Sequence, residues 1–254
     1  MKIATWNVNS LKVRLPHVKS WLAFNPVDVL CLQEIKLQDA DFPHDELLSI
    51  GYHSVCSGQK TYNGVAILSR KPVTDVQFGI PDFVDEQKRV ISATVDNVRI
   101  ICVYVPNGQE VGCDKYSYKL RWLAALRNWL RSELSIHPQL VILGDFNIAP
   151  DDRDIYDPAL WKDKILASPD ERAAFRELLE LPLRDAFRLF DQPEKSFSWW
   201  DYRMMAFRRN MGLRIDLILA SNSVRCSACE IDKAPRKLER PSDHAPVIAE
   251  IETQ

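Results

Sequence analysis

The sequence carries no surplus of positive charge: 33 lysines and arginines face 35 aspartates and glutamates, a formal net charge of -2 over 254 residues. Global charge therefore does not advertise a nucleic-acid partner, and any basic surface must be local. Glycines are few, 8 in all. No two of them are spaced for a dinucleotide-binding G-x-G-x-x-G, and neither the Gly-Lys of a P-loop nor a G-x-S-x-G nucleophile elbow occurs. Long apolar runs are also missing. No segment approaches a membrane span, and the opening Met1 to Asn7 reads as a strand rather than a signal peptide, so a cytoplasmic protein is expected. The six cysteines, Cys31, Cys56, Cys102, Cys113, Cys226 and Cys229, are scattered. They do not suggest a disulfide framework, and the Cys226/Cys229 C-x-x-C lacks the second pair that a tetrahedral zinc site needs.

What is present is enough apolar material, 46% of residues, for a sizeable core and one α/β domain over residues 1–254. Short apolar runs alternate with helix-period segments from end to end. Strands are expected at Lys2 to Trp6, Val27 to Gln33, Gly64 to Ser69, Val90 to Val95, Val98 to Val105, Leu140 to Gly144, Leu213 to Ala220 and Ala245 to Ile251. Leu15, Val18, Trp21 and Leu22 recur at helical spacing, with Pro26 as a stop. From Tyr118 to Leu134, Trp122, Leu123, Leu126, Trp129, Leu130 and Leu134 form one apolar stripe, and Lys119, Arg121, Arg127 and Arg131 are expected to point away from it. Ser168-Pro169-Asp170-Glu171 opens a third helix, expected to reach Leu181. One short echo links Trp6-Asn7-Val8-Asn9 with Asp145-Phe146-Asn147-Ile148.

Polar residues break in abruptly at or near the ends of the apolar runs, where α/β scaffolds hold catalytic groups. They are Asn7 and Asn9, Glu34, Asp145 and Asn147, Asp216, and Ser242-Asp243-His244. An acid inside a run as apolar as Leu213 to Leu219 must be paired or hydrogen-bonded. Asp216 is expected to find His244, the one histidine in such a strand-end setting, and to orient its ring. Any single residue here could be a turn or helix cap. Together they supply hard oxygens, amides and an acid-paired histidine without a nucleophile motif, which fits water attack on a phosphoester aided by a hard cation.

Thr5-Trp6-Asn7-Val8-Asn9, Leu32-Gln33-Glu34-Ile35-Lys36, Asn63 to Ser69, Tyr104-Val105-Pro106-Asn107-Gly108, Gly144-Asp145-Phe146-Asn147, Leu213-Arg214-Ile215-Asp216 and Pro241 to Pro246 resemble, in order and spacing, the signatures of the exonuclease III family. The resemblance implies the four-layered α/β sandwich of the endonuclease/exonuclease/phosphatase superfamily, two packed mixed β-sheets flanked by helices. It also implies Mg2+, with Mn2+ as an alternative. Glu34 resembles the main metal ligand, with Asn7, Asp145, Asn147, Asp243 and His244 around the site. By the same resemblance Asp145 aligns or deprotonates the attacking water, Asn147 and Asn7 support it, His244 held by Asp216 stabilises the phosphorane, and Tyr104 adds a phenolic contact. Whether Asp145 or His244 is the base is left open by the sequence.

Such chemistry equally suits a phosphatase acting on a soluble phosphoester. Ser198 to Arg214 argues for DNA, because Trp199, Trp200, Tyr202 and Phe207 interleave there with Arg203, Arg208, Arg209 and Arg214. The segment resembles the family's substrate loop, with Trp199 and Trp200 lining a nucleotide pocket and Met204 and Leu213 among its contacts. Lys12, Arg14, Gln59, Lys60, Tyr62 and Asn107 match other DNA-contacting positions. The implied partner of this monomer is duplex DNA with 3′ ends, nicks or abasic sites. A catalytically silent nucleic-acid-binding regulator would lack catalytic side chains, and none is missing. The sequence departs from the family at Leu166, where members that cleave abasic sites carry a small residue. Leu166 is therefore expected to crowd an emerging strand, favouring 3′-end trimming and 3′-phosphate removal over abasic-site incision.

Overall fold

Residues 1–252 are described by a computed structural model. Strand-forming runs give twelve strands among these residues: β1 (Lys2–Asn7), β2 (Val29–Gln33), β3 (His53–Ser57), β4 (Val65–Ser69), β5 (Thr74–Phe78), β6 (Val90–Val95), β7 (Val98–Tyr104), β8 (Leu140–Asp145), β9 (Leu183–Asp185), β10 (Asp216–Ser221), β11 (Arg225–Ile231) and β12 (Val247–Glu252). They form two six-stranded sheets, ordered β11-β12-β1-β2-β4-β3 and β5-β6-β7-β8-β10-β9. Each sheet has one parallel pair at its centre, β1 with β2 and β7 with β8, and antiparallel neighbours elsewhere.

Residue alternation sets the layers. Ile3, Val29, Cys31, Val65 and Ile67 face Ile91, Ile100, Cys102, Val141, Leu143 and Ile218 between the sheets. The opposite faces are also apolar. Ala4, Trp6, Leu30 and Leu32 pack under α1 (Leu11–Phe24). The short α2 (His44–Leu48) adds Leu47 to the same cluster. On the other sheet Ile101, Val103, Ile142, Leu217 and Leu219 pack under α3 (Asp114–Ile136). The single turn α4 (Pro158–Trp161) precedes α5 (Pro169–Leu179), whose Phe175 and Leu178 complete this layer. Burial on both faces explains why the central strands read as continuous apolar runs. Helix, sheet, sheet and helix are the four layers the resemblance implied.

Ser168 caps α5, accepting the Glu171 N–H while the Glu171 carboxylate reaches back to the Ser168 N–H, so the expected helix start is a reciprocal capping box. Several boundaries move. Val27 stays buried, but β2 starts at Val29. Leu213 pairs only by isolated bridges to Ile155 and Trp199, and β10 opens at Asp216. The strands that the apolar runs did not signal, β3, β5, β9 and β11, are the four sheet edges. Edge strands are paired on one side only and tolerate polar residues, which erases the apolar signal. Lys119 is a correction of another kind: it does not point away from the α3 stripe but is wholly buried beside it. All six cysteines are free. Among the described residues no helix is long and apolar enough to cross a membrane.

Candidate active site

Register assembles the site. Asp216 opens β10 directly opposite Asp145 at the end of β8, and Tyr104 lies opposite Asp145 on the other side. Three side chains of one sheet thus share an edge. From the other sheet, Asn7 ends β1 beside Gln33, and Glu34 follows immediately. β8 can run beside β7 as far as Asp145 because residue 144 is glycine: a Cβ there would sit 1.9 Å from the Val103 carbonyl oxygen. The echo between the two segments is structural too. Asn9 N–H donates to Asn7 Oδ1 and Asn147 N–H donates to Asp145 Oδ1, with Asn9 and Asn147 both left-handed at φ 44 and 49°. Asparagine tolerates that region better than most residues, and each turn aims the strand-end side chain.

His244 is anchored to the end of β1. Its carbonyl accepts from Trp6 Nε1, and Ser242 Oγ accepts the His244 N–H while donating to the Asn7 carbonyl. The ring then faces two carboxylates. Nδ1 lies 2.9 Å from Asp216 Oδ2, and Nε2 lies 3.8 Å from Asp145 Oδ2. Asp216 is buried but supported, because Ser198 Oγ donates to it at 2.7 Å. Burial pulls the imidazole down, yet Asp216 and then Asp145 outweigh burial and raise His244 to about 10. Burial likewise lifts the Asp145 carboxyl to about 7, against the pull of His244. The Tyr104 phenol is held neutral by burial and by the negative charge of Glu34 and Asp145. Its ring carries the Arg89 guanidinium 4.6 Å from the centroid.

Glu34, Asp145 and His244 each offer one ligand atom, all within 4.8 Å of one another, and form the candidate metal site. The other expected ligands are turned to other partners. Asn7 presents its amide nitrogen, not its oxygen, at 2.9 Å to both Glu34 Oε1 and Asp145 Oδ2. Its oxygen is taken by Asn9, so Asn7 links the two acids here as a donor. Asp243 accepts from Asn9 Nδ2 and from Trp199 Nε1, both at 3.0 Å. The Asn147 amide is held by Asn107 and by the Val105 carbonyl.

The residues matched to DNA contacts divide sharply. Lys12, Lys60, Tyr62, Arg203 and Met204 are exposed, with Tyr62 at 67% and Met204 at 70%. Asn107 is exposed while its amide holds Asn147. Arg14 and Gln59 are half-buried braces: Arg14 donates to the Asn9 and Pro241 carbonyls, and Gln59 accepts from Asn63 and the Lys88 N–H. Trp199 is half-buried. Trp200 is wholly buried instead, edge-on to Phe207 with Arg236 over its ring, so it offers no stacking face. Leu213 is buried in the same way. Leu166, 4% exposed, lies with Leu213, Ala149 and Ile155 in the apolar cluster on which Trp199 rests. The chain is left-handed at this residue, φ 72°. Arg214 is not a phosphate-seeking charge either: it is buried between Asp154 and Asp185.

Sequence reasoning passed over Ser198, Lys36 and Lys119. Lys36 Nζ bridges Glu34 Oε2 at 2.9 Å and Asn9 Oδ1 at 2.6 Å. The one signal for Ser198 and Lys36 was adjacency to marked residues.

The sequence pattern of the Endonuclease/Exonuclease/phosphatase family matches residues 4–244. Exodeoxyribonuclease III of Haemophilus influenzae is 36% identical over 99% of this chain and 100% of its own length. A 3′ phosphatase from Neisseria, solved bound to a product DNA hairpin, superposes with a TM-score of 0.98 at 51% identity, each chain covered in full. An AP endonuclease from Archaeoglobus fulgidus gives a TM-score of 0.95 at 38% identity, again with both chains fully covered. Matched over nearly its whole length, and with acid-paired His244 facing Asp145 at the strand ends, the chain belongs to the endonuclease/exonuclease/phosphatase family as a phosphodiester hydrolase of exonuclease III type.

Proposed function

We propose that this chain is a divalent-cation-dependent nuclease that removes nucleotides and blocking phosphates from the 3′ ends of duplex DNA. The observation that carries the reading is Asp145, raised to about 7 by burial, facing a His244 raised to about 10 across 3.8 Å. A group near 7 is poised to take a proton at neutral pH, and an imidazolium beside it stabilises developing negative charge. The water oxygen bonds to phosphorus as its proton passes to Asp145. The bond from phosphorus to the leaving oxygen then breaks, with His244 the nearest acid to return a proton. Tyr104, kept neutral, serves as a hydrogen-bond donor, and Asn7 fixes the spacing of Glu34 and Asp145.

The donor set fits a hard cation, with two carboxylates and no thiolate in the cluster. Glu34 and Asp145 would hold Mg2+ or Mn2+, since an imidazolium has no free lone pair. Bound there, the cation supplies Lewis-acid polarisation of the phosphate. For DNA as substrate, support comes from the Haemophilus exodeoxyribonuclease and the Neisseria 3′ phosphatase with its hairpin product, together with exposed Lys12, Lys60, Tyr62, Arg203 and Met204.

The test is a set of labelled duplexes carrying a plain 3′ end, a 3′-phosphate or an internal abasic site, given to metal-stripped protein with and without added Mg2+. The expected result is release from both 3′-end substrates only when Mg2+ is present. Full activity after stripping would remove the metal role of Glu34 and the dependence on a divalent cation.

A further inference from the structure

A lysine ammonium has three N–H donors, and all three of Lys119 are spent inside the protein. Nζ donates to the Asn147 carbonyl at 2.7 Å and to the Asn107 carbonyl at 3.1 Å, and its third partner is Glu171 Oε1. Both members of the ion pair are wholly buried. The loops so gripped carry site residues, and Asn107 Nδ2 also donates to Asn147 Oδ1 at 3.1 Å. From Asn147 the connection continues, because its own N–H holds Asp145 Oδ1 at 2.9 Å. Glu171 extends the grip to a third loop by accepting the Leu166 and Ser168 N–H groups. The lysine stem runs against Gly108, where an added Cβ would meet Lys119 Cδ at 3.1 Å.

A buried ion pair is a costly way to fill space, and a well-packed apolar pair often does so with equal or better stability. An apolar pair cannot hold two backbone carbonyls from separate loops. We infer that Lys119 is a positioning residue for hydrolysis: it fixes the backbone at Asn147 and, through the Asn147 N–H, the direction of the Asp145 carboxylate. The inference rests on the nuclease reading above and adds a requirement that lies outside the strand-end motifs.

The test compares Lys119→Met with Glu171→Gln in the full chain, measuring kcat and KM on a duplex with a plain 3′ end, Tm, and amide hydrogen exchange at Phe146 to Ala149. Misplacement of a reacting group by about 1 Å costs about a hundredfold in rate. Lys119→Met is expected to lose kcat on that order, about a hundredfold, with KM changed little and with faster exchange at Phe146 to Ala149. Glu171→Gln leaves the two carbonyl contacts in place but strands a buried charge. Lys119→Met likewise strands the buried Glu171 carboxylate, so both variants are expected to lower Tm, while Glu171→Gln costs less in kcat. Unchanged exchange in Lys119→Met, normal turnover in it, or kcat losses that simply follow Tm in both variants would overturn the inference. If the unmodified chain does not cut DNA, the nuclease reading fails by itself, and the exchange measurement still decides whether Lys119 holds the loop.

Discussion

Two buried charge clusters lie within a few residues of each other along the chain and behave in opposite ways. Around Arg214, two acids meet two guanidiniums: Asp154 pairs with Arg214 and Arg188, and Asp185 pairs with Arg214 at 2.7 Å. The Phe187 ring lies under both arginines. Two residues later, Asp216 joins Asp145 and Glu34 in a group of three acids that has one histidine and, at its edge, Lys36. The first cluster is balanced, with two carboxylates in direct contact with two guanidiniums. The second is short of positive charge, so burial and mutual repulsion act on the acids and move Asp145 and His244 far from their usual values. Balance makes a brace, whereas imbalance displaces the protonation of the groups enclosed together.

The comparison can be broken most forcefully at the brace. Arg214→Met strands the buried Asp185 carboxylate and leaves Asp154 with Arg188 alone, and is expected to cost about 3–5 kcal/mol of stability by urea unfolding, with turnover per folded molecule nearly unchanged. Lost turnover at full stability would instead place Arg214 in the reactive cluster. Next in size, Asp145→Asn and His244→Asn are expected to lower kcat about a hundredfold or more while DNA affinity is retained. Single-turnover rates and anisotropy titrations separate the two, and near-normal turnover would remove the residue from the mechanism. Asp145→Asn should not lower Tm, because it relieves the burial of a charge.

A pH series sharpens the contrast. His244 is raised from 6.5 to about 10 in the folded state, so folded protein keeps a proton that unfolded chain has lost. That contribution is complete below 6.5 and disappears as pH rises through about 10. Asp145, also raised, acts in the same direction in a lower window, between 3.8 and about 7. Metal-stripped protein is therefore expected to lose on the order of 1–2 kcal/mol between neutral and alkaline pH. Asp216→Asn should flatten that loss, and an unaltered slope would show that the Asp216 pair does not set the charge of His244. Smallest of all are the exposed residues. Lys60→Ala and Tyr62→Ala are expected to raise KM by about two- to fivefold without changing kcat, and Lys60→Ala to reduce the salt slope of binding by about one. An effect on kcat would move either residue from the rim into the site.

Much of this was legible because it is local. The central strands, the three main helices and the Ser168 cap follow from apolar spacing and capping chemistry, which depend on neighbours in sequence. Asp216 was expected to seek His244 because a carboxylate in an apolar run has no acceptable state without a donor, and the pair forms at 2.9 Å. The edge strands β3, β5, β9 and β11 were not legible, since a strand with one open side need not be apolar.

Side-chain fate was the other gap. Trp200, Arg203, Met204 and Arg214 look alike in a segment of interleaved aromatics and arginines, yet Trp200 and Arg214 are buried and Arg203 and Met204 exposed. The segment alone cannot say which, because the deciding partners are distant: Arg236 for Trp200, Asp154 and Asp185 for Arg214. Lys119 looked like a solvent-facing charge on a helix until Glu171, Asn107 and Asn147 were brought to it. The sequence by itself determined the layered scaffold and where polar chemistry interrupts it, because burial pattern is written in residue spacing. Only the tertiary structure decided which charges are braces and which are reactive, because that depends on the count and sign of the groups enclosed together, and those groups come from opposite ends of the chain.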